Sequence, residues 1–244
     1  MEETGQKNNM CEITEEIAHI NGIPKKLVVF LHGYIDCAQT VDKIISPKFG
    51  LLENYAIHIP QAPLVCEIHE KKRQWYSMHQ FDPNDERKTV ATLEECIQIY
   101  EKMKLGLESA YHYLRAYIDN LLNEYQLDLK DLYLCGFSQG AMLALYTSLM
   151  LEEKIGGCVS FSGIVVPEKW LLKHHKSSPK VLLLHGDKDN LVRFCSMEHS
   201  KKVLETMGCQ VTNKTVKGEQ HRITDSGLED ALKFISETTK KGED

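Results

Sequence analysis

Apolar and polar positions along the chain fall into two rhythms. Residues 27–31, 132–135 and 181–184 are short runs with no polar interruption beyond a tyrosine or a cysteine. Continuous apolarity at that length predicts strands buried on both faces of a sheet. Residues 55–59 read as another strand, stopped by Pro60, and 155–162 as one closed by Gly163. Residues 211–216 alternate, as a half-buried strand does. A segment from Glu12 to Ile20 also reads as a strand, and Asn21-Gly22 is a hairpin signal that leads into 27–31.

The intervening stretches have helical period. Residues 38–45 predict a helix whose end is marked by Pro47. Leu93, Ile97 and Tyr100 predict a short helix. Leu107, Ala110, Leu114, Ile118 and Leu121 carry a long stripe whose spacing is that of core packing. The run 141–146 is apolar nearly all round, so its helix is expected to be buried. Residues 197–207, ended by Gly208, and a stripe through Leu228, Ala231, Leu232 and Ile235 complete the set. Trp170-Leu171-Leu172 reads as part of a connection. Strand and helix alternate without repeat or linker, which predicts an α/β fold with a mostly parallel central sheet and helices on both faces.

Two stretches stand outside this rhythm. Residues 1–11 are polar and read as a flexible tail ahead of one domain spanning 12–244. Residues 60–88 contain Pro60, Pro63, Pro83, Trp75 and many charges, and are too long for a plain connection. Such segments are usually functional, and this one is expected to form a rim or lid.

Composition changes the picture little. Of 244 residues, 42% are hydrophobic and 26% charged, as in ordinary globular chains. The net charge of −6 without a basic stripe argues against nucleic acid as a partner. No signal peptide or run long enough to span a bilayer is evident. Transient membrane contact through a local apolar patch stays open, as does a homodimer. The eight cysteines lack metal-binding or redox spacing. Read as reduced, structural thiols, they fit a cytoplasmic setting.

The chemistry centres on Gly136-Phe137-Ser138-Gln139-Gly140, set between a predicted strand and a predicted helix. That is the context of a nucleophile elbow, which puts a serine on a sharp turn at the end of a sheet in the α/β-hydrolase fold. A buried turn serine would show the same five residues, so the partners decide. Two carboxylates, Asp187 and Asp189, follow the strand 181–184, and His221 follows 211–216. The order Ser, Asp, His is the one this fold uses. His221 would accept the serine proton and the aspartate would orient His221. Asp189 is the favoured acid, and Asp187 reads as a turn residue. The oxyanion donors would be the N–H groups of Gln139 and Tyr34. His32 reads as a brace for the turn His32-Gly33-Tyr34, and His185 as structural.

With these pieces in place, the chain resembles the phospholipase/carboxylesterase family, which includes the acyl-protein thioesterases. The resemblance rests on Phe30-Leu31-His32-Gly33, on Pro60-Gln61-Ala62-Pro63 with Gln74-Trp75-Tyr76, and on the elbow. It rests also on His185-Gly186-Asp187-x-Asp189-x-Leu191-Val192 and on Gly218-x-x-His221. It implies a single-domain hydrolase of esters or thioesters of acyl chains, acting through an acyl-enzyme without metal or cofactor. It also implies Ser138, Asp189 and His221 as the triad and a Trp75 segment that walls the acyl site. The substrate would be a small molecule, a lipid or an acylated partner. The chain departs from the family pattern at Ile35, where a glycine is usual, and at Arg193, where a proline is common. Alternatives are a lysophospholipase, a dienelactone-type hydrolase, against which the serine at 138 speaks, and a ligand-binding member without catalysis.

Overall fold

The computed structural model describes residue 13 and residues 15–240. The expected tail, residues 1–11, lies outside the described residues. Nine strands and seven α-helices follow one another as β1 (Glu16–Asn21), β2 (Lys26–Leu31), α1 (Ala38–Phe49), β3 (Tyr55–Pro60), β4 (Leu64–Cys66), β5 (His69–Gln74), α2 (Leu93–Glu101), α3 (Lys104–Tyr125), β6 (Leu132–Phe137), α4 (Gln139–Met150), β7 (Gly157–Phe161), α5 (Glu168–His174), β8 (Lys180–Gly186), α6 (Cys195–Thr206), β9 (Gln210–Val216) and α7 (Asp225–Lys240).

Seven strands form one sheet in the order β1-β3-β2-β6-β7-β8-β9. Every pairing is parallel except β1 with β3. Apolarity throughout the central strands follows from two buried faces. Leu27, Val29 and Leu31 of β2 point into one core with α2 to α6, while Val28 and Phe30 point into the other with α1 and α7. β6 splits the same way, Leu132 and Leu134 to the first core and Tyr133 and Cys135 to the second. Strand alternation thus fills both layers from one apolar run.

Three local expectations are corrected. Asn21-Gly22 does turn, with Gly22 at φ +79°, but it does not join a hairpin. Both edges of β2 are taken by parallel partners, β3 and β6. β1 therefore pairs with β3, and the 21–25 turn crosses the start of β3, where Asn54 N–H bonds to Asn21 C=O at 2.7 Å. Pro47 does not end α1; it sits in the last turn, and the helix runs on to Phe49. The segment around Trp170 is a helix, α5, with Trp170 stacked on Tyr146 and His174. Within residues 60–88, β4 and β5 pair as an antiparallel hairpin, and Glu86–Lys88 form a 3₁₀ turn.

The chain leaves β2 toward β3 on one side, and the next strand added to the sheet, β6, lies on the other. β2 and β6 are adjacent, so their carboxyl ends flank the point where the winding reverses. Open α/β sheets bind ligands at such a crevice.

Candidate active site

Ser138 occupies the turn between β6 and α4 with φ +54° and ψ −117°. A non-glycine residue in that region is strained, and such strain persists only where the surroundings impose it. Here the imposing contacts are the bond from Ser138 N–H to Phe161 C=O at 2.9 Å and tight glycine packing on either side. A Cβ at Gly140 would lie 2.4 Å from the carbonyl oxygens of Leu31 and His32, and one at Gly136 2.4 Å from the carbonyl oxygen of Gly140. Only glycine lets α4 press against the end of β2 this closely.

Asp189 and His221 meet at the ends of β8 and β9. His221 Nδ1 donates to Asp189 Oδ2 at 2.7 Å, which leaves the ring Nε2 as its acceptor in the neutral form. Asp189 Oδ1 takes the N–H groups of Leu191 and Val192, both at 3.0 Å. Burial pushes the Asp189 carboxyl up, but the hydrogen bonds from His185 and His221 outweigh it and hold the group well below the usual carboxylate range. Asp187 takes the other role: its Oδ1 accepts from Gly218 N–H at 2.7 Å and pins the loop that carries His221.

Ser138, His221, Tyr34 and Gln139 line one cavity of about 220 Å³. The ring of Phe137 packs on His221, 4.7 Å between centroids. Gln139 opens α4, so its N–H is among the donors a helix leaves without an internal partner. The wall also includes Met78, Tyr100, Met142 and Leu191 on the apolar side, with His79, Asp85, Arg87 and Lys88 from the 60–88 segment. That segment thus contributes side chains to the lining of this cavity.

Trp75 is not on the wall. It is completely buried, and its indole N–H donates to His32 C=O at 2.8 Å. The Trp75 N–H donates to Gln139 Oε1 at 2.9 Å, and Gln139 Nε2 donates to Tyr76 C=O at 2.9 Å. The expected acyl wall is therefore a brace that ties the end of β2 to the elbow. The cavity surface comes from Met78 and its neighbours instead. His32 braces the same turn: Nδ1 donates to Gly33 C=O at 2.8 Å, and Nε2 accepts from Ala62 N–H at 3.1 Å. Burial pushes its pKa down to about 4, so it is neutral at pH 7.

Further residues shape the site. His185 Nε2 donates to Val192 C=O at 2.7 Å and lies 3.2 Å from Asp189 Oδ2, so it closes the acid loop from beneath. Arg193 donates to the carbonyls of Val90 and Ala91, linking the acid loop to the start of α2. Arg87, nearly buried on the cavity wall, is held by Asp82 at 2.5 Å and Asp85 at 2.7 Å. Asp82 also caps the 3₁₀ turn through Glu86 N–H at 2.7 Å. Glu67 Oε1 receives Met78 N–H, His79 N–H and the Tyr34 hydroxyl at 2.7–3.1 Å and so fixes the rim. Ile35, the residue at the usual glycine, adopts φ +57°.

With this geometry, the chain matches the phospholipase/carboxylesterase family over residues 13–239. The protein belongs to that family. It is a hydrolase of the carboxylesterase type with the α/β-hydrolase fold. Among curated relatives, it is 25% identical to an acyl-protein thioesterase 1 homolog of Dictyostelium discoideum over 220 residues, 88% of this chain and 91% of that one. It is 22% identical to acyl-protein thioesterase 1 of Candida albicans, covering 89% and 94%. Among solved structures, esterase PE8 superposes with a TM-score of 0.75 at 29% identity, covering 92% of this chain and 97% of that one. SOBER1 of Arabidopsis thaliana, at 21% identity and TM-score 0.69, covers 88% and 99% and shares the fold.

Proposed function

We propose that this family member is a serine hydrolase that cleaves acyl esters or thioesters through an acyl-enzyme, with Ser138, Asp189 and His221 as its triad. The observation that carries the reading is the convergence of Ser138 and His221 on one cavity, with His221 held by the buried carboxylate of Asp189 at 2.7 Å.

In the first half-reaction, Ser138 Oγ attacks the substrate carbonyl while His221 Nε2 takes the hydroxyl proton. The carbonyl oxygen gains negative charge, which the N–H groups of Gln139 and Tyr34 stabilise. The tetrahedral intermediate collapses as His221 passes its proton to the departing alcohol or thiol, leaving the acyl group on Ser138. Water then enters, His221 removes its proton, and the same steps in reverse order release the acid and restore Ser138. Asp189 stays ionised throughout and stabilises the imidazolium. Met78, Tyr100, Met142 and Leu191 offer the acyl chain an apolar wall. The names of the relatives support a thioester, and an acylated protein as its carrier. The seven described cysteines are all free thiols, which fits a cytoplasmic setting.

The test is hydrolysis of a graded series of acyl p-nitrophenyl esters and acyl thioesters by wild type and Ser138→Ala. We expect turnover to fall on the order of a million-fold in the variant, with a chain-length optimum set by the apolar wall. Comparable rates in both proteins would refute the nucleophile, and rates at background for every substrate would refute the reaction class.

A further inference from the structure

A second cavity, of about 300 Å³, lies at the opposite end of the sheet from Ser138, along the amino ends of the parallel strands. Its lining holds four lysines. Lys26 opens β2, Lys130 lies in the turn before β6, Lys154 precedes β7, and Lys180 opens β8. These strands are consecutive neighbours in the sheet, β2-β6-β7-β8. At roughly 4.8 Å per strand, the starts of these four strands span about 14 Å. In a chain with net charge −6, this is a strong local reversal of sign.

The lysines are not neutralised alike. Lys26 pairs with Asp131 at 2.6 Å, and both side chains are largely buried, so this pair belongs to the framework. Lys130 pairs with Asp128 at 3.0 Å, but both side chains are more than 70% exposed. Such a pair is weak and readily exchanged for another anion. Lys154 and Lys180 have no carboxylate within 4 Å among the described residues. Asp131 is the one acidic residue of the lining among the described residues. Behind the lysines lie hydroxyls: Tyr133 bonds to Thr239 at 2.9 Å and to Thr238 at 3.2 Å, and Ser178 and Gln210 complete the polar wall. Aligned cations in a concave surface focus a positive potential and concentrate multivalent anions there.

We propose that this trough binds a phosphate-bearing polyanion, with Lys130, Lys154 and Lys180 as its contacts and the Lys26–Asp131 pair closing one end. An elongated row of ammonium groups matches two or more linked phosphates better than a single carboxylate. Lysine makes point-charge contacts with phosphate oxygens and needs no fixed fork geometry. The ligand could be a soluble polyphosphorylated compound or the head group of a phosphorylated lipid, and the chemistry of recognition is the same for both.

The test uses the full chain and its Lys154→Ala/Lys180→Ala double variant. Inorganic pyrophosphate is titrated calorimetrically into each at low and moderate salt. Sedimentation with phosphatidylcholine vesicles, with and without phosphatidylinositol bisphosphate, separates the two sources. We expect saturable binding by wild type that weakens with salt and falls at least about tenfold in the double variant. Ester hydrolysis and circular dichroism should be unchanged, since neither lysine is near the hydrolytic cavity. Lysine-dependent sedimentation with the phosphoinositide vesicles alone would assign the lipid source, and lysine-dependent pyrophosphate binding without sedimentation the soluble one. If neither probe binds, or if binding is equal in the two proteins, the proposal is overturned.

Discussion

Ile35 stands where the family usually has glycine, and it holds the left-handed conformation, φ +57°, that suits glycine. A β-branched side chain in that region is unfavourable by about 1–2 kcal/mol. The expected signature is an inverted ranking. Glycine is normally the less stable replacement for a non-glycine residue, but Ile35→Gly should be more stable than Ile35→Ala by about 1 kcal/mol. Urea denaturation of the two variants checks it, and Ala above Gly would show that the turn relaxes. His185 makes a different prediction. Its Nε2 serves both Val192 C=O and Asp189, so His185→Leu should cost about 2 kcal/mol of stability. It should lower kcat on the order of tenfold with KM little changed, because Asp189 then holds His221 less well. His185→Gln, which keeps a donor, should recover part of kcat; no recovery would make the role purely one of packing. At this scale the sequence was legible where a motif named the residue. His221 bonds to Asp189 and shares one cavity with Ser138. Trp75 was misread, because a conspicuous aromatic in a long segment does not reveal whether its ring faces a cavity or, as here, is sealed inside by His32 and Gln139.

Elements were legible in proportion to how local their causes are. The apolar strands β2, β6 and β8 announce themselves because both faces are buried. The hairpin β4–β5 did not, since β5 is mostly charged, His69-Glu70-Lys71-Lys72-Arg73, and stands largely exposed. Its position depends on the distant bond from Arg73 N–H to Asp36 C=O at 2.8 Å. The partner of β1 was equally hidden, because strand order is a property of the whole sheet and a two-residue turn cannot specify it. The acid loop is tied to the stretch between the 60–88 segment and α2 by Arg193, whose guanidinium holds the carbonyls of Val90 and Ala91. Arg193→Ala should therefore raise KM for long acyl substrates several-fold while kcat changes little, as expected when a wall that binds ground and transition state alike loosens. A fall in kcat alone would place Arg193 in the chemistry instead. The close approach of α4 to β2 gives a sharper structural test. Gly140→Ala must push a methyl against two carbonyl oxygens 2.4 Å away, and should cost about 3 kcal/mol or more, read as a drop in denaturation midpoint.

For the molecule as a whole, acid sensitivity follows from buried groups. His32 has its pKa lowered by burial from 6.5 to about 4. The unfolded chain then binds a proton that the folded chain resists, so stability falls as pH drops from 6.5 toward 4. The full effect is about 3 kcal/mol. Asp189, held low, adds its own loss only further down, as pH falls below its unfolded value of 3.8. Unfolding free energies of wild type and His32→Gln between pH 7 and 4 should converge as pH falls; parallel curves would remove His32 as the cause. At this scale, fold class and family could be read from the alternation of strands and helices and from five motifs. The bracing network of Glu67, Gln139, His185 and Arg193 could not, because each of those bonds joins residues whose proximity only the folded sheet creates.

The central claim is that Ser138 is the nucleophile, and the most direct measurement is intact-mass and peptide mass spectrometry after reaction with a fluorophosphonate. One adduct per chain is expected, on the peptide carrying Ser138, formed in parallel with loss of esterase activity and missing in Ser138→Ala. An adduct on another residue, or full inactivation with Ser138 unmodified, would contradict it.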